Sequence, residues 1–339
     1  MYEPLAAPPR PTVRGSLKGR RTWALTGLAT AIVLAGVGVF AAYRLDIAAA
    51  EARVEGRSTV VQSPYGPIEY AVVGQGPPVL AIHGSGGGFD QGLDMMEPLA
   101  KHGYRLISPS RFGYLRSGRP RNASPAVQAD ALAWLVSHLG EGRVIVAGGS
   151  AGSLPAMQFA LRHPEQTRAL VLLVPAAYSP DRKPNESGMG GPVGEAIALS
   201  LLNSDFLFWA ATKLAPGRMT QALLATNPAL VAAAPPAEQQ RVAEILAHIL
   251  PVSRRAAGLI DDTTWAGAPP PYPLERISAP TIAVSFEDDL YGTYAAAKYA
   301  SERVQHGTLV SYPTGGHVWV GHDAEVWSAV AAFLSAHAE

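Results

Sequence analysis

The chain has 339 residues, 48% hydrophobic and 16% charged, so it holds enough apolar material for a sizeable core and is not a disordered polymer. Its 27 Lys and Arg balance 27 Asp and Glu, and a formal net charge of zero provides no overall field for nucleic acid or for a strongly cationic partner. With no cysteine, disulfides, cysteine-ligated metal sites and thiol catalysis are excluded together.

Residues 22–43, TWALTGLATAIVLAGVGVFAAY, carry no charge and are bounded by Arg21 and Arg44. At about 1.5 Å per residue the run reaches about 33 Å, enough to cross a hydrocarbon core of about 30 Å. Arg10, Arg14, Lys18, Arg20 and Arg21 precede it against the single acid Glu3, whereas Arg44, Arg53 and Arg57 are interleaved with Asp46, Glu51 and Glu55. The positive-inside bias then makes residues 1–21 a cytoplasmic basic tail and 22–43 an uncleaved transmembrane anchor. Residues 44–57 read as a short polar tether, with a helix as one of its readings, to an extracytoplasmic domain over 58–339. The alternative is a signal peptide cleaved near Ala41 with release of a soluble protein, although signal cores are about 7–15 residues, shorter than this run.

Within the domain, STVVQS (58–63) and IEYAVVG (68–74) predict two strands around a turn at 64–67. Short apolar runs follow at PPVLAIHG (77–84), YRLISPS (104–110), RVIVAGG (143–149), ALVLLVP (169–175), PTIAVSFEDD (280–289) and GTLVSYP (307–313). Runs without alternation suit strands buried on both faces, and helical stretches lie between them. Ser124-Pro125 opens one helix as N-cap and first-turn proline, and Gly140 stops it. Residues 326–337 form a final amphipathic helix. The pattern predicts an α/β domain with a mainly parallel sheet covered by helices on both faces. From about 176 to 278 no strand is visible. A Gly- and Pro-rich loop (179–193) leads into helical stretches such as EAIALSLLNSDFLFWAATKL and PAEQQRVAEILAHIL, which reads as an all-helical lid inserted between two sheet strands.

Three clusters carry chemistry. GGSAG (148–152) follows a predicted strand and precedes a predicted helix. A serine on such a strand-to-helix turn stands clear of the backbone, and flanking glycines avoid collision with neighbouring elements. Ser150 is the candidate nucleophile, and the amide of Ala151 points toward a developing oxyanion. HGSGGG (83–88) ends another strand; Ser85 is the expected second amide donor, with Gly84 and Gly86 as alternatives, and His83 is read as structural. This loop lacks the spacing of nucleotide-binding motifs. SFEDD ends a later strand with Glu287, Asp288 and Asp289, and GGH ends the next with His317. An acid, a base and a nucleophile at the C-terminal ends of sheet strands converge on one site. His322 lies beyond VWV and is expected to face elsewhere.

The motifs HGSGGG, SPSRFGYLRSGRP, GGSAGS, SFEDD and GGH, in this order over residues 58–339, resemble the α/β-hydrolase family, specifically its serine-nucleophile, esterase- and lipase-like branch with a helical lid. The resemblance implies Ser150 as nucleophile, His317 as base and Asp289 as acid, with Asp288 in reserve because Phe286 stands where the family carries a glycine. It implies acyl transfer on a carboxylic ester of a small or lipid-like substrate, without metal or organic cofactor. Carbon–carbon bond hydrolases and cofactor-free haloperoxidases resemble the same arrangement, and a non-catalytic ligand-binding module on this fold is a rival from another class. Neither the substrate nor the oligomeric state is readable. In the lid, some of Phe206, Leu207, Phe208 and Trp209 face inward whatever the helix phase; lid-to-core packing is the favoured reading and an apolar acyl pocket the alternative. Arg254, Arg255, Asp261 and Asp262 read as a solvated charged face, with polar recognition as the alternative.

Overall fold

The computed structural model describes residues 16–182 and 200–337. All eight strand signals are strands: β1 (Thr59–Ser63), β2 (Gly66–Val73), β3 (Pro78–Ile82), β4 (Arg105–Pro109), β5 (Val144–Gly149), β6 (Thr167–Leu173), β7 (Thr281–Phe286) and β8 (Gly307–Tyr312). They form one sheet in the order β1-β2-β4-β3-β5-β6-β7-β8. β2 runs antiparallel to both its neighbours, and every other pairing is parallel.

The unalternating apolar runs have a simple cause. Leu80, Ile82 and Val146 point into one core cluster with Leu132, Leu135 and Phe159. Their sequence neighbours Val79, Ala81, Ile145 and Ala147 point into a second cluster with Phe89, Met96, Trp327 and Val330. Both faces of these strands are therefore buried, so both side-chain sets must be apolar. Helices α2 (Phe89–Lys101), α3 (Pro125–His138) and α4 (Ser153–Arg162) follow β3, β4 and β5. In α3 the Ser124 side chain accepts the Val127 N–H with Pro125 in the first turn, and Gly140 beyond its end has φ 75°.

Between β6 and β7 the described residues are helical: α5 (Asp205–Leu214), α6 (Pro216–Leu224), α7 (Pro228–Ala233), α8 (Pro236–Ala247) and α9 (Ala256–Trp265). The stretch expected as one helix over 195–214 is interrupted, because Ser204 caps α5 through the Leu207 N–H at 3.2 Å. Phe208 and Trp209 are buried, and Phe206 and Leu207 are exposed. Residues 183–199, which hold most of the expected Gly- and Pro-rich loop, lie outside the described residues. α10 (Thr293–Arg303) and α11 (Asp323–Ala336) complete the domain. α11 begins three residues before the expected start of 326; Asp323 and Glu325 in its first turn suit the positive end of a helix dipole.

The N-terminal helix α1 (Ser16–Val54) includes a stretch over 25–54 in which an 18-residue window has a mean hydropathy of 2.1, long and apolar enough to cross a membrane, a property shared by anchors and signal sequences. Residues 1–15 of the basic tail lie outside the described residues. The chain divides into two compact units between Ala48 and Ala49. The segment expected as a polar tether over 44–57 is thus helical as far as Val54, and its last turns belong to the domain. Ala50 and Val54, four residues apart on one helix face, are buried. Arg53 donates to the carbonyls of His248 and Leu250 and lies 3.4 Å from Asp90.

Candidate active site

Ser150 follows β5 on a single 3₁₀ turn (Ser150–Gly152) and has φ 50°, a left-handed conformation unfavourable for a residue with a Cβ. The surrounding glycines permit it. A Cβ on Gly152 would stand 2.4 Å from the His83 carbonyl oxygen, and one on Gly148 would stand 2.6 Å from that of Gly152. Ser153 locks the turn by donating to the Gly148 carbonyl at 3.0 Å. The strain is held by packing on both sides, and the serine side chain stays partly accessible.

His317, from the loop after β8, brings Nε2 within 2.9 Å of Ser150 Oγ. Its Nδ1 lies 2.7 Å from Asp289 Oδ2. An ionised carboxylate only accepts, so Nδ1 carries the proton and Nε2 is left to accept from the serine hydroxyl. Asp289 is further fixed by the Thr293 hydroxyl and by the Tyr291 N–H at 2.8 Å, and Ser285 lies 2.9 Å behind Thr293. Asp288, its sequence neighbour, points elsewhere: it accepts the amides of Gly315 (3.2 Å) and Gly316 (2.7 Å), the two residues before His317. The two acids thus divide the work, one bonding the imidazole and the other the loop that bears it. Phe286 occupies the space a Cβ on Gly315 would need, 2.3 Å from its ring, so an aromatic ring at the end of β7 is matched by a glycine after β8.

The insertion reaches this centre too. Thr226, just beyond α6, accepts the His317 N–H at 3.0 Å, and Tyr291 donates its hydroxyl to the Ala222 and Leu223 carbonyls. The Tyr291 ring stands edge-on to the His317 imidazole with centroids 4.9 Å apart. Burial and the adjacent Asp289 charge push the Tyr291 phenol up, so it is a neutral donor at ordinary pH. His322 stacks on Tyr312 and bonds Glu325, away from Ser150.

The HGSGGG loop passes beside the serine, where a Cβ on Gly84 would stand 3.2 Å from that of Ser150. Gly84 N–H donates to Gln91 Oε1 at 2.9 Å and Gly86 N–H to the Tyr114 hydroxyl at 3.3 Å, so both alternatives to Ser85 already have acceptors. His83 is fully buried. Its Nε2 accepts the Arg111 N–H at 2.9 Å, and Nδ1 donates to the Gly84 carbonyl at 2.7 Å.

A family model described as the alpha/beta hydrolase fold matches residues 77–320. The chain belongs to the α/β-hydrolase family. Several of its relatives are hydrolases. An uncharacterized hydrolase of Bacillus subtilis, YcgS, is 34% identical over 107 residues, 32% of this chain and 37% of that protein. A 2-hydroxy-6-oxo-6-phenylhexa-2,4-dienoate hydrolase of Burkholderia cepacia is 32% identical over 107 residues, 30% and 37% of the two chains. The matches thus span little more than a third of such relatives. Among solved structures, an alpha/beta hydrolase fold protein from Nakamurella multipartita superposes with TM-score 0.62 at 28% identity, covering 82% of this chain and 99% of its own. A bacterial membrane phospholipase A has TM-score 0.64 at 22% identity, covering 94% and 99%.

Several residues around this α/β-hydrolase site carried no sequence signal: Thr226, Tyr291 and Thr293, and above all two buried ion pairs. Arg255 and Asp262, expected on a solvated face, are 0% and 7% exposed. Arg255 pairs with Asp90 and Asp262 with Arg111, whereas Arg254 and Asp261 make the surface pairs with Glu55 and Arg119. A charge pattern along one helix does not show which residues meet a partner from a distant element.

His83 supplies a pH prediction. Burial, and next the Arg111 guanidinium, push its imidazole well below the usual range. The unfolded chain takes up a proton below about pH 6.5 that the folded chain refuses. Its contribution is therefore present above that pH and lost below it, at up to about 1.4 kcal/mol per pH unit. Urea midpoints measured from pH 7 to 5.5 are expected to fall more steeply in the wild type than in His83→Gln; equal slopes would reject the neutral buried imidazole.

Proposed function

We propose that this protein is a serine hydrolase that works through an acyl-enzyme, with carboxylic esters of small or lipid-like molecules as substrates. The observation that carries this reading is the continuous hydrogen-bonded row from Ser150 through His317 to Asp289. Ser150 Oγ attacks the ester carbonyl carbon while His317 Nε2 takes its proton, and the carbonyl π electrons move to oxygen. The amides of Ser85 and Ala151 stabilise that oxyanion. Collapse expels the alcohol, which receives the proton from His317 and leaves Ser150 acylated. Water then attacks the acyl carbon with His317 as base, and Ser150 is regenerated. Asp289 holds the imidazole in the required tautomer and stabilises the imidazolium that forms twice per turnover.

The apolar run 22–43 serves in this reading as an uncleaved single-pass anchor. The basic tail lies on the cytoplasmic side and the hydrolase domain on the other, as the positive-inside bias favours. The names of relatives acting on hydroxy-oxo-dienoates support a second reading, hydrolysis of a carbon–carbon bond beside a ketone by the same residues. The test is to treat washed membranes and the soluble fraction with a fluorophosphonate probe and map the adduct, then assay an ester panel against a vinylogous diketone. A phosphonylated Ser150 in the membrane fraction with ester turnover is expected. Diketone cleavage without ester turnover selects the second reading, and a protein that takes no probe overturns both.

A further inference from the structure

Asp262 and Arg111 form a bridge between the helical insertion and the loop beside Ser150. Asp262 sits on α9, and the fork is bidentate: Arg111 Nη1 lies 2.8 Å from Oδ1 and Nη2 2.6 Å from Oδ2. The other donors of the same guanidinium face the loop, with Nε 3.0 Å from the His83 carbonyl oxygen and Nη2 3.0 Å from that of Gly84. Asp262 also accepts the Tyr114 hydroxyl, and that hydroxyl in turn accepts the Gly86 N–H. Residues on both sides of Ser85 are thereby tied to one carboxylate. The group is shielded from water: Arg111 and Asp262 are each 7% exposed and Tyr114 0%. It is also close-packed, since a Cβ on Gly258 of α9 would stand 2.1 Å from the Tyr114 ring.

We propose that Asp262 is a positioning residue that, through Arg111 and Tyr114, orients the Ser85 amide toward the oxyanion. The charge of Asp262 does not touch substrate. It gathers groups that hold three successive peptide planes: Arg111 donates to the carbonyls of the 83–84 and 84–85 planes, and Tyr114 accepts the N–H of the 85–86 plane. The Gly84 carbonyl shares its plane with the Ser85 N–H, so the bond to Arg111 sets where that N–H points. The insertion so contributes to the electrostatic half of the site. The inference rests on the serine-hydrolase reading, because an oriented amide matters only if an oxyanion develops beside it.

Removing Asp262 alone leaves Arg111 buried without a counter-charge and risks unfolding. The informative protein is the full-length double variant Arg111→Met/Asp262→Leu, since apolar replacement of a buried ion pair is often neutral or stabilising. Thermal midpoint, kcat and KM for an ester, and the rate of fluorophosphonate labelling are measured on it and on the wild type. The expected result is a thermal midpoint close to wild type, KM within about threefold, and kcat and the labelling rate both lower by about tenfold to a hundredfold, since losing a whole oxyanion donor costs about a hundredfold to a thousandfold. A folded double variant whose kcat and labelling rate stay within about threefold of wild type overturns the positioning role and leaves the serine-hydrolase reading standing. A wild type that neither turns over esters nor labels overturns both.

Discussion

Ser150→Ala is expected to lower kcat for an ester by about a millionfold and to abolish fluorophosphonate labelling. His317→Ala is expected to fall to the same floor, and the double variant no lower, because in the proposed mechanism nucleophile and base act as one unit. Asp289→Asn tests the orienting acid. The Tyr291 N–H keeps an asparagine carbonyl at the Oδ1 position and so turns the NH2 toward Nδ1; Nδ1 must then accept, the proton moves to Nε2, the imidazole no longer accepts from Ser150, and kcat is expected to drop by about ten-thousandfold. Asp288→Asn is the control. Its remaining carbonyl oxygen still accepts an amide from the pair Gly315 and Gly316, now 3.2 and 2.7 Å from the carboxylate, and the loss is expected to stay below about tenfold. Steady-state kinetics of the four single variants check the ranking. An Asp288→Asn protein as impaired as Asp289→Asn would sink the division of labour between the acids.

Arg255→Ala is expected to destabilise the domain by about 3–5 kcal/mol. Its side chain is 0% exposed and that of Asp90 1%, and the two meet at 3.1 and 2.7 Å. Burial pushes the Asp90 carboxyl up, but the Arg255 charge and hydrogen bond, with Arg53 behind them, outweigh it and hold the group below the usual carboxylate range. The pair therefore contributes stability above about pH 4, and that contribution is lost as pH falls through the depressed value. Truncating Arg255 leaves Asp90 with Arg53 at 3.4 Å and the Gln91 backbone N–H. The variant either carries a poorly paired buried charge or protonates. Urea unfolding at pH 7 measures the loss, and a change below about 1 kcal/mol would mean that water reaches Asp90 after all. Arg255→Met/Asp90→Leu should recover most of it, since the Arg255 Nε has no acceptor among the described residues and the pair is not ideally satisfied.

These two sites mark where local reading ends. The strands were legible because burial on both faces demands uninterrupted apolar runs, and Ser124-Pro125 because a cap acts within one turn. The serine turn was legible because its residue pattern lies within five positions, from Gly148 to Gly152, although the contact that demands a glycine at 152 comes from the distant His83 carbonyl. Asp289 was ranked above Asp288 only through the spacing of a family motif whose glycine is replaced here by Phe286, so sequence alone left Asp288 in reserve. Packing of that ring on Gly315 and the direction of the turn after β7 decided which acid meets His317.

Composition, periodicity and short motifs thus determined the element order, the α/β architecture and the residues that converge at the strand ends, because each of those signals is carried by neighbours in the chain. Only the tertiary structure decided that Arg255 and Asp262 are interior, that Arg53 in the supposed tether belongs to the domain, and that Thr226 supports His317. Their partners stand 165, 151, 195 and 91 residues away. A charge is buried or solvated according to what folds over it, and that is a property of the packed chain.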